Sequence, residues 1–243
     1  MSPNLSLESS YSKQPIVLFP PLKKETECFH PQSFDQFPVL YSFPPNKDTL
    51  GGTAYFLRGK EENVLVDCPK WNDLHLNFLE QQGGVDWLVL THRDGISNVK
   101  KIKEALNCQV LIQEQEAYLI PEVSVIPFDQ NYIFSSELEM IWTPGYSPGS
   151  ACLYYSPLGG ILFSGRHLLP NTNGQLALLK TAKTFHYPRQ LRSLVRLIHR
   201  LNPSTLRYIC PGANIGFLRG QGWVTDAYGQ MLEIKNELEE ITF

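Results

Sequence analysis

The chain has 243 residues, of which 42% are hydrophobic, so it is long enough to bury the core of one large domain. Its 21 basic and 24 acidic residues give a net charge of −3, without the excess of positive charge that is typical of nucleic-acid-binding proteins. These numbers exclude a strongly basic chain, and we predict no nucleic acid partner.

The cysteine pattern and the first residues of the chain indicate in which cellular compartment the protein is expected. The cysteines form no CxxC pair, so neither a zinc knuckle nor a disulfide framework is indicated, and buried thiols are expected. No apolar run reaches the ~20 residues that a membrane helix requires, and residues 1–15 lack the apolar core of a signal peptide. We expect a cytoplasmic protein without a membrane span, with an organellar stroma as the alternative. The cysteines are Cys28, Cys68, Cys108, Cys152 and Cys210.

Residues 1–35 are rich in Pro, Ser and Lys and contain one short apolar run, Ile16 to Phe19. We interpret them as an N-terminal extension that packs on a single domain formed by residues 36–243. The extension is a candidate for contacts with a partner, and its apolar run is equally suited to completing the core of the domain.

The remaining elements follow in chain order. A strand at 38–43 precedes a hairpin of 53–59 with 63–68, an amphipathic helix at 71–84 and a buried strand at 85–92. A helix at 98–107, a strand at 109–116, three strands within 136–165, a helix at 187–203, a strand at 206–212 and a helix at 226–240 complete the chain. This pattern predicts an α/β fold with helices packed outside sheets.

Five motifs then come in an order and spacing that resemble the metallo-beta-lactamase superfamily. The resemblance covers about residues 36 to 240 and is closest to a branch in which Thr-His-Arg-Asp is followed two residues later by Ala-Asp-His. It implies an αββα sandwich of two mixed sheets with helices outside, and a site along one edge of the sheets. The motifs are NVLVDCP, LVLTHRD, WTPGYSPGSACLYY, ILFSGRHL and YICPGANIG.

The resemblance assigns metal-ligand positions within the LVLTHRD segment and after it. His92 and Asp94 stand at two of them and have suitable donor atoms. Where the branch has Asp-His, this chain has Asn98 and Val99. Without the two-residue offset, the same positions fall on Ile96-Ser97, so neither register supplies the pair.

The later ligand positions are also changed. Tyr146 stands where a histidine follows Thr-Pro-Gly, Arg166 where an aspartate bridges two metals, and Ala213 where Pro-Gly-His offers the last histidine. A guanidinium is always protonated and has no lone pair for a metal. Because a stable zinc site needs at least three protein ligands, we predict a degenerate site with no metal, no cofactor and no catalytic residue.

Three further residues need separate interpretation. A histidine alone at a strand end is more often structural than a ligand, and we interpret His92 in this way. His167 is adjacent to Arg166, but neighbouring residues of a strand face opposite sides, which argues against a shifted ligand. The family counterpart of Asp67 orients the first metal loop by hydrogen bonds, and the resemblance implies the same supporting role here.

We therefore expect a catalytically silent protein, a pseudoenzyme, that serves as a binding or assembly module. Its partner would be an unidentified protein or a small anionic ligand in the degenerate cleft. The alternative is a metal-dependent hydrolase of a thioester, lactam or phosphoester with a mononuclear or relocated metal.

We also expect Arg166 to replace the charge of the metal through a two-pronged bond to Asp94, with Tyr146 and His92 satisfying the remaining polar atoms. The alternative is that Arg166 faces an open cleft and binds an external anion.

Overall fold

Two large β-sheets and four α-helices make up the part of the chain that the structure, a computed structural model, describes: residues 14–19 and 38–241. The strands are β1 (Ile16–Phe19), β2 (Val39–Ser42), β3 (Tyr55–Arg58), β4 (Asn63–Val66), β5 (Trp87–Leu90), β6 (Gln109–Gln113), β7 (Ile126–Phe128), β8 (Asn131–Ile133), β9 (Leu138–Trp142), β10 (Ala151–Tyr155), β11 (Ile161–Gly165), β12 (Leu169–Pro170), β13 (Leu176–Ala177), β14 (Tyr208–Pro211) and β15 (Val224–Thr225). The helices are α1 (Asp73–Gln81), α2 (Val99–Leu106), α3 (Tyr187–Arg200) and α4 (Ala227–Ile241).

Both sheets are mixed. The first runs β1-β2-β3-β4-β5-β6-β7, antiparallel from β1 to β4 and parallel from β4 to β7. The second runs β15-β14-β11-β10-β9-β8, in which only β14 and β11 are parallel. Strands β12 and β13 form a separate pair. Because parallel neighbours require crossover connections, α1 and α2 lie on the outer face of the first sheet.

The core has three layers. Side chains of both sheets, such as Leu57 and Val89 from the first and Leu153 and Phe163 from the second, meet in a central cluster. A second cluster packs α1 and α2 on the first sheet, and a third packs α3 and α4 on the second. The architecture is therefore α/β, an αββα sandwich with helices outside, as the motifs implied.

Local sequence explains where the helices begin. The side chain of Asn72 accepts a hydrogen bond from the backbone N of His75 at 2.9 Å, which caps α1. In α3, His186 caps the first turn and Pro188 occupies it, where a missing N–H does no harm. The buried positions of α3 include Leu194, Leu197 and Ile198, which recur at helical spacing and explain its placement on the second sheet.

The structure differs from the sequence-based elements in a few places. The end of the strand expected at 109–116 is a 3₁₀ helix, Glu114–Leu119, because the Gln113 side chain accepts from the backbone N of Gln115 at 2.8 Å and turns the chain. Short strands β7, β8, β12, β13 and β15 were not expected, since runs of two or three residues carry little periodicity.

The apolar run of the N-terminal extension forms edge strand β1, which pairs antiparallel with β2. Leu18 is 3% exposed and belongs to the central cluster. A β-carbon built on Gly222 would lie 2.5 Å from Leu18 Cδ2, so this strand packs closely against the loop before β15. Most of residues 1–35 lies outside the described residues, and the division at residue 35 stays a prediction.

Cysteines within the described ranges are free, buried thiols: Cys68, Cys108, Cys152 and Cys210. Cys28 lies outside those ranges. Within residues 14–19 and 38–241, none of the helices has the length and apolar character needed to cross a membrane.

Candidate functional site

Loops from both sheets meet at one edge of the sandwich. The backbone N of Ala151, at the start of β10, donates to Thr91 O after β5 at 2.8 Å, and Gly212 N after β14 donates to Gly165 O at 2.7 Å. Gly165 has a φ of +52°, and a β-carbon there would lie 2.5 Å from Thr91 Oγ1. Only glycine therefore lets the end of β11 approach the end of β5, which is how the motif residues come together.

Asp67, Thr91 and His92 form a buried hydrogen-bonded chain. Thr91 donates to Asp67 twice, from its backbone N to Oδ1 at 2.8 Å and from Oγ1 to Oδ2 at 2.6 Å. Thr91 Oγ1 also lies 2.7 Å from His92 Nδ1. Since that hydroxyl gives its proton to Asp67, it accepts from Nδ1–H, and we assign the neutral tautomer of His92 with a lone pair on Nε2.

Burial dominates the protonation of these groups. It lowers the pKa of His92 to about 3, with the nearby charge of Arg166 acting in the same direction. It raises the pKa of Asp67 to about 6, although the two hydrogen bonds from Thr91 act in the opposite direction. His92 is therefore uncharged at neutral pH.

Asp94 is satisfied by two residues from a distant part of the chain. The Tyr146 hydroxyl donates to Asp94 Oδ2, and Lys183 Nζ lies 3.8 Å from Oδ1. Partial burial acts to raise the pKa of Asp94, but the Tyr146 hydrogen bond and the neighbouring charges, among them Lys183 and Arg166, outweigh it and hold that pKa below its usual value. Burial and the same hydrogen bond raise the pKa of Tyr146 to about 12, so Tyr146 is a donor and not a phenolate.

The expected bond between Arg166 and Asp94 is wrong, because no ion pair within 4.0 Å joins them in the described structure. Arg166 Nη2 donates instead to the carbonyls of Thr49 and Leu50, at 3.0 and 2.9 Å. The guanidinium carbon lies 5.8 Å from the centre of the Tyr146 ring. Asp94 is paired with Tyr146 and Lys183, whereas Arg166 hydrogen-bonds the loop before β3.

The remaining positions assigned from the family pattern are Asn98, Val99 and Ala213. Asn98 has a φ of +51° and donates to Ser97 Oγ at 3.0 Å from the turn that starts α2. Val99 is buried in the cluster beneath α2, and Ala213 is buried just after β14. The side chains of Val99 and Ala213 have no donor atom for a metal.

The donor set can be compared with the needs of a metal ion. His92 Nε2 is buried without a hydrogen-bond partner, and its ring meets the Tyr146 ring edge to face at 5.5 Å. Across residues 14–19 and 38–241, no group of three His, Cys, Asp or Glu side chains is placed to hold an ion. The side chains of the described residues thus do not supply the three ligands that a zinc ion requires.

Sequence reasoning missed Glu116 and Lys183. Glu116 is 2% exposed and accepts from Gly149 N at 3.2 Å, with further hydrogen bonding to Ser147 and to the backbone of Arg93. Burial raises the pKa of Glu116 despite these bonds. A β-carbon on Gly149 would lie 2.7 Å from Glu116 Cγ. Because this contact joins segments that are far apart in the chain, no local sequence pattern predicts it.

A family model described as the metallo-beta-lactamase superfamily matches residues 48–212. Among solved structures, a metallo-beta-lactamase family protein from Thermus thermophilus is 20% identical, with a TM-score of 0.59 over 83% of this chain and 79% of that chain. The metallo-beta-lactamase FIM-1 from Pseudomonas aeruginosa, solved in a mono-zinc form, is 14% identical, with a TM-score of 0.55 over 84% of this chain and 92% of that chain. The comparison with curated proteins gave no match. Because the family model extends from the loop before β3 to the end of β14, the chain belongs to the metallo-beta-lactamase superfamily.

Proposed function

We propose that this protein is a catalytically silent binding or assembly module in which a network of side chains has replaced the metal site. The observation that carries the proposal is the pairing of Asp94 with Tyr146 and Lys183. A carboxylate at a family ligand position already has a hydroxyl donor and an ammonium neighbour. It therefore does not need a metal ion to offset its charge.

The charges of the whole network support the same proposal. Each of three carboxylates interacts with at least one cationic neighbour, so the formal charges of these six residues balance without a divalent ion. An aqueous nucleophile would also lack activation, since a bound metal is what lowers the pKa of water in this type of site. The charged residues are Asp67, Asp94, Glu116, Arg93, Arg166 and Lys183.

The rim of the site suggests what the cleft would bind. Leu50 and Phe185 are 53% and 52% exposed. The carbonyl of Leu50 accepts a hydrogen bond from Arg166. The backbone N of Phe185 donates to Tyr146 O at 2.9 Å. Exposed apolar groups at Leu50 and Phe185, with Lys183 two residues before Phe185, favour a partner with an apolar surface and an anionic group, either a protein or a small anionic ligand.

The second candidate is a metal-dependent hydrolase of a thioester, lactam or phosphoester. One observation favours it: the lone pair on His92 Nε2 has no partner, and the tautomer set by Thr91 is the one that a metal ligand needs. A mononuclear or relocated metal would have to find further ligands beyond this nitrogen and Asp94.

Metal analysis of protein purified without an affinity tag separates the two candidates. We expect far less than one zinc or iron per chain, no change of melting temperature in EDTA, and no hydrolysis of nitrocefin, S-lactoylglutathione or bis-p-nitrophenyl phosphate. A variant with Tyr146→His, Arg166→Asp and Ala213→His restores three family ligand types and serves as a positive control for metal uptake. About one metal per native chain, with turnover lost in His92→Ala, would establish the hydrolase instead.

The domain boundary and the compartment are part of the same proposal. We propose residues 1–35 as an extension packed on the domain of 36–243, and a cytoplasmic location or, as the alternative, an organellar stroma. Limited proteolysis followed by mass spectrometry tests the first statement, because a packed extension is cut no faster than the domain. Fractionation of the native cell tests the second.

A further inference from the structure

Helix α3 carries a row of arginines. Arg189, Arg192, Arg196 and Arg200 follow one another at intervals of three or four residues, which places them on one side of the helix. The last three are exposed, and Arg189 is half-buried. We call Arg189, Arg192 and Arg196 the arginine face. It includes none of the residues of the cleft network.

Trp142, at the end of β9, holds two of these guanidiniums in place. The guanidinium carbons of Arg189 and Arg196 lie 5.4 and 6.0 Å from the centre of the indole ring. Trp142 Nε1 donates to Pro148 O at 2.9 Å, and Arg196 Nη2 donates to Ser193 Oγ at 3.0 Å. These contacts restrict part of the rotamer freedom of Arg189 and Arg196 that binding would otherwise remove.

The positive charges of the arginine face have no carboxylate partner among the described ion pairs. Arg200, at the end of the row, is paired with Glu139. Burial, followed by the charges of Arg189 and Arg192, lowers the pKa of Arg196. Holding like charges together is unfavourable, and a bound anion would relieve the repulsion.

Two grooves flank Arg196 and Trp142, which line both of them. One has a volume of about 570 Å³ and includes Arg189 and Arg192. The other, of about 380 Å³, continues past Ser193 to Arg200. The arginine face is therefore bordered by concave surface on both sides and not by a flat solvated helix.

We propose that the arginine face binds a short acidic segment of a partner protein in an extended conformation. The Cβ atoms of residues three or four apart on a helix are ~5–6 Å apart, while alternate residues of an extended chain are ~6.6 Å apart and point the same way. Carboxylates at alternate positions of a peptide therefore match successive guanidiniums, which bind carboxylates through paired N–H donors.

Several features favour a peptide over a nucleic acid. The indole of Trp142 is already in contact with two guanidiniums, so it does not offer an open ring for stacking a base. From Arg189 to Arg200 the row is only ~16 Å long at the helical rise, and Glu139 neutralises its far end. The chain as a whole carries a net charge of −3, which disfavours a long polyanion.

Fluorescence anisotropy with the full-length protein tests the proposal. The probe is a fluorescein-labelled peptide of about seven residues with glutamate at alternate positions, in ~50 mM salt, where such contacts are weakly screened. We expect saturable binding that weakens at least about tenfold in the Arg192→Ser, Arg196→Ser variant. The matched control removes two exposed lysines from α2, Lys100→Ser with Lys101→Ser, and should bind as the native protein does.

A variant with Arg189→Lys, Arg192→Lys and Arg196→Lys keeps the charge and removes the planar paired donors of the guanidiniums. Weaker binding by this variant supports the ordered guanidiniums, whereas native affinity would overturn their role. No saturable binding of the peptide overturns the proposal, as does an equal loss in the lysine control. Tighter binding of a single-stranded oligonucleotide of similar charge would overturn the choice of partner. Urea unfolding confirms that each variant is folded.

Discussion

Replacing Asp67 by asparagine is expected to remove a pH dependence from the stability of the protein. Asp67 is buried, and its pKa is raised from 3.8 to about 6. A difference of roughly 2 pKa units corresponds to ~3 kcal/mol. Because the folded-state pKa lies above the unfolded one, the folded protein binds the proton more tightly. The contribution is fully present below about pH 4 and is lost as the pH rises through about 6.

The assay is urea unfolding followed by the fluorescence of the four tryptophans, for the native protein and for Asp67→Asn, between about pH 4 and pH 7. Asparagine is close in shape and does not titrate, so the difference in unfolding free energy between the two proteins isolates this carboxyl group. We expect that difference to change by ~3 kcal/mol in favour of the variant as the pH rises. A difference that stays constant within about 1 kcal/mol would show that the donors of Thr91 outweigh burial, and would refute the reasoning.

Further changes test other contacts. Tyr146→Phe removes the hydroxyl that donates to Asp94, so the pKa of Asp94 should rise, as measured by carboxyl NMR titration. The free energy of unfolding at pH 7 should fall by ~1–2 kcal/mol. An unchanged Asp94 titration would contradict the assigned hydrogen bond. Arg166→Ala removes the side-chain donor to the carbonyls of Thr49 and Leu50, of which Thr49 O keeps the backbone N of Gly52. Amide exchange around Leu50 should therefore accelerate, and the free energy of unfolding should fall by ~1–2 kcal/mol. Adding Asp94→Asn to Arg166→Ala should give no rescue, because the two side chains share no ion pair; recovery of stability in that double variant would restore the direct bond. Leu18→Ala should lower the free energy of unfolding by ~3 kcal/mol, measured in urea, because Leu18 lies in the central cluster, whereas a loss below ~1 kcal/mol would mean that β1 is dispensable.

The fold was accessible from the sequence because its elements are local patterns. The apolar stripe of α3, the turn between β3 and β4 and the buried run of β5 each span a few residues, and their periodicity predicts the element. The order of the motifs then implied the αββα sandwich, and residue types alone indicated that Arg166 and Ala213 have no donor for a metal.

The hydrogen bonds and ion pairs of the site were decided only by the tertiary structure. Tyr146 and Asp94 are 52 residues apart in the chain, and Arg166 and Thr49 are 117 apart. Sequence indicates which side chains carry charge, but it does not indicate which of several carbonyls or carboxylates lies within ~3 Å of a given donor. Whether Arg166 bonds to Asp94 or to the loop carbonyls depends on the backbone geometry at distant positions. One example is the close approach of β11 to β5, which Gly165 permits. For the same physical reason, the arginine spacing of α3 is visible in the sequence, while its contact with Trp142 exists only in the folded chain.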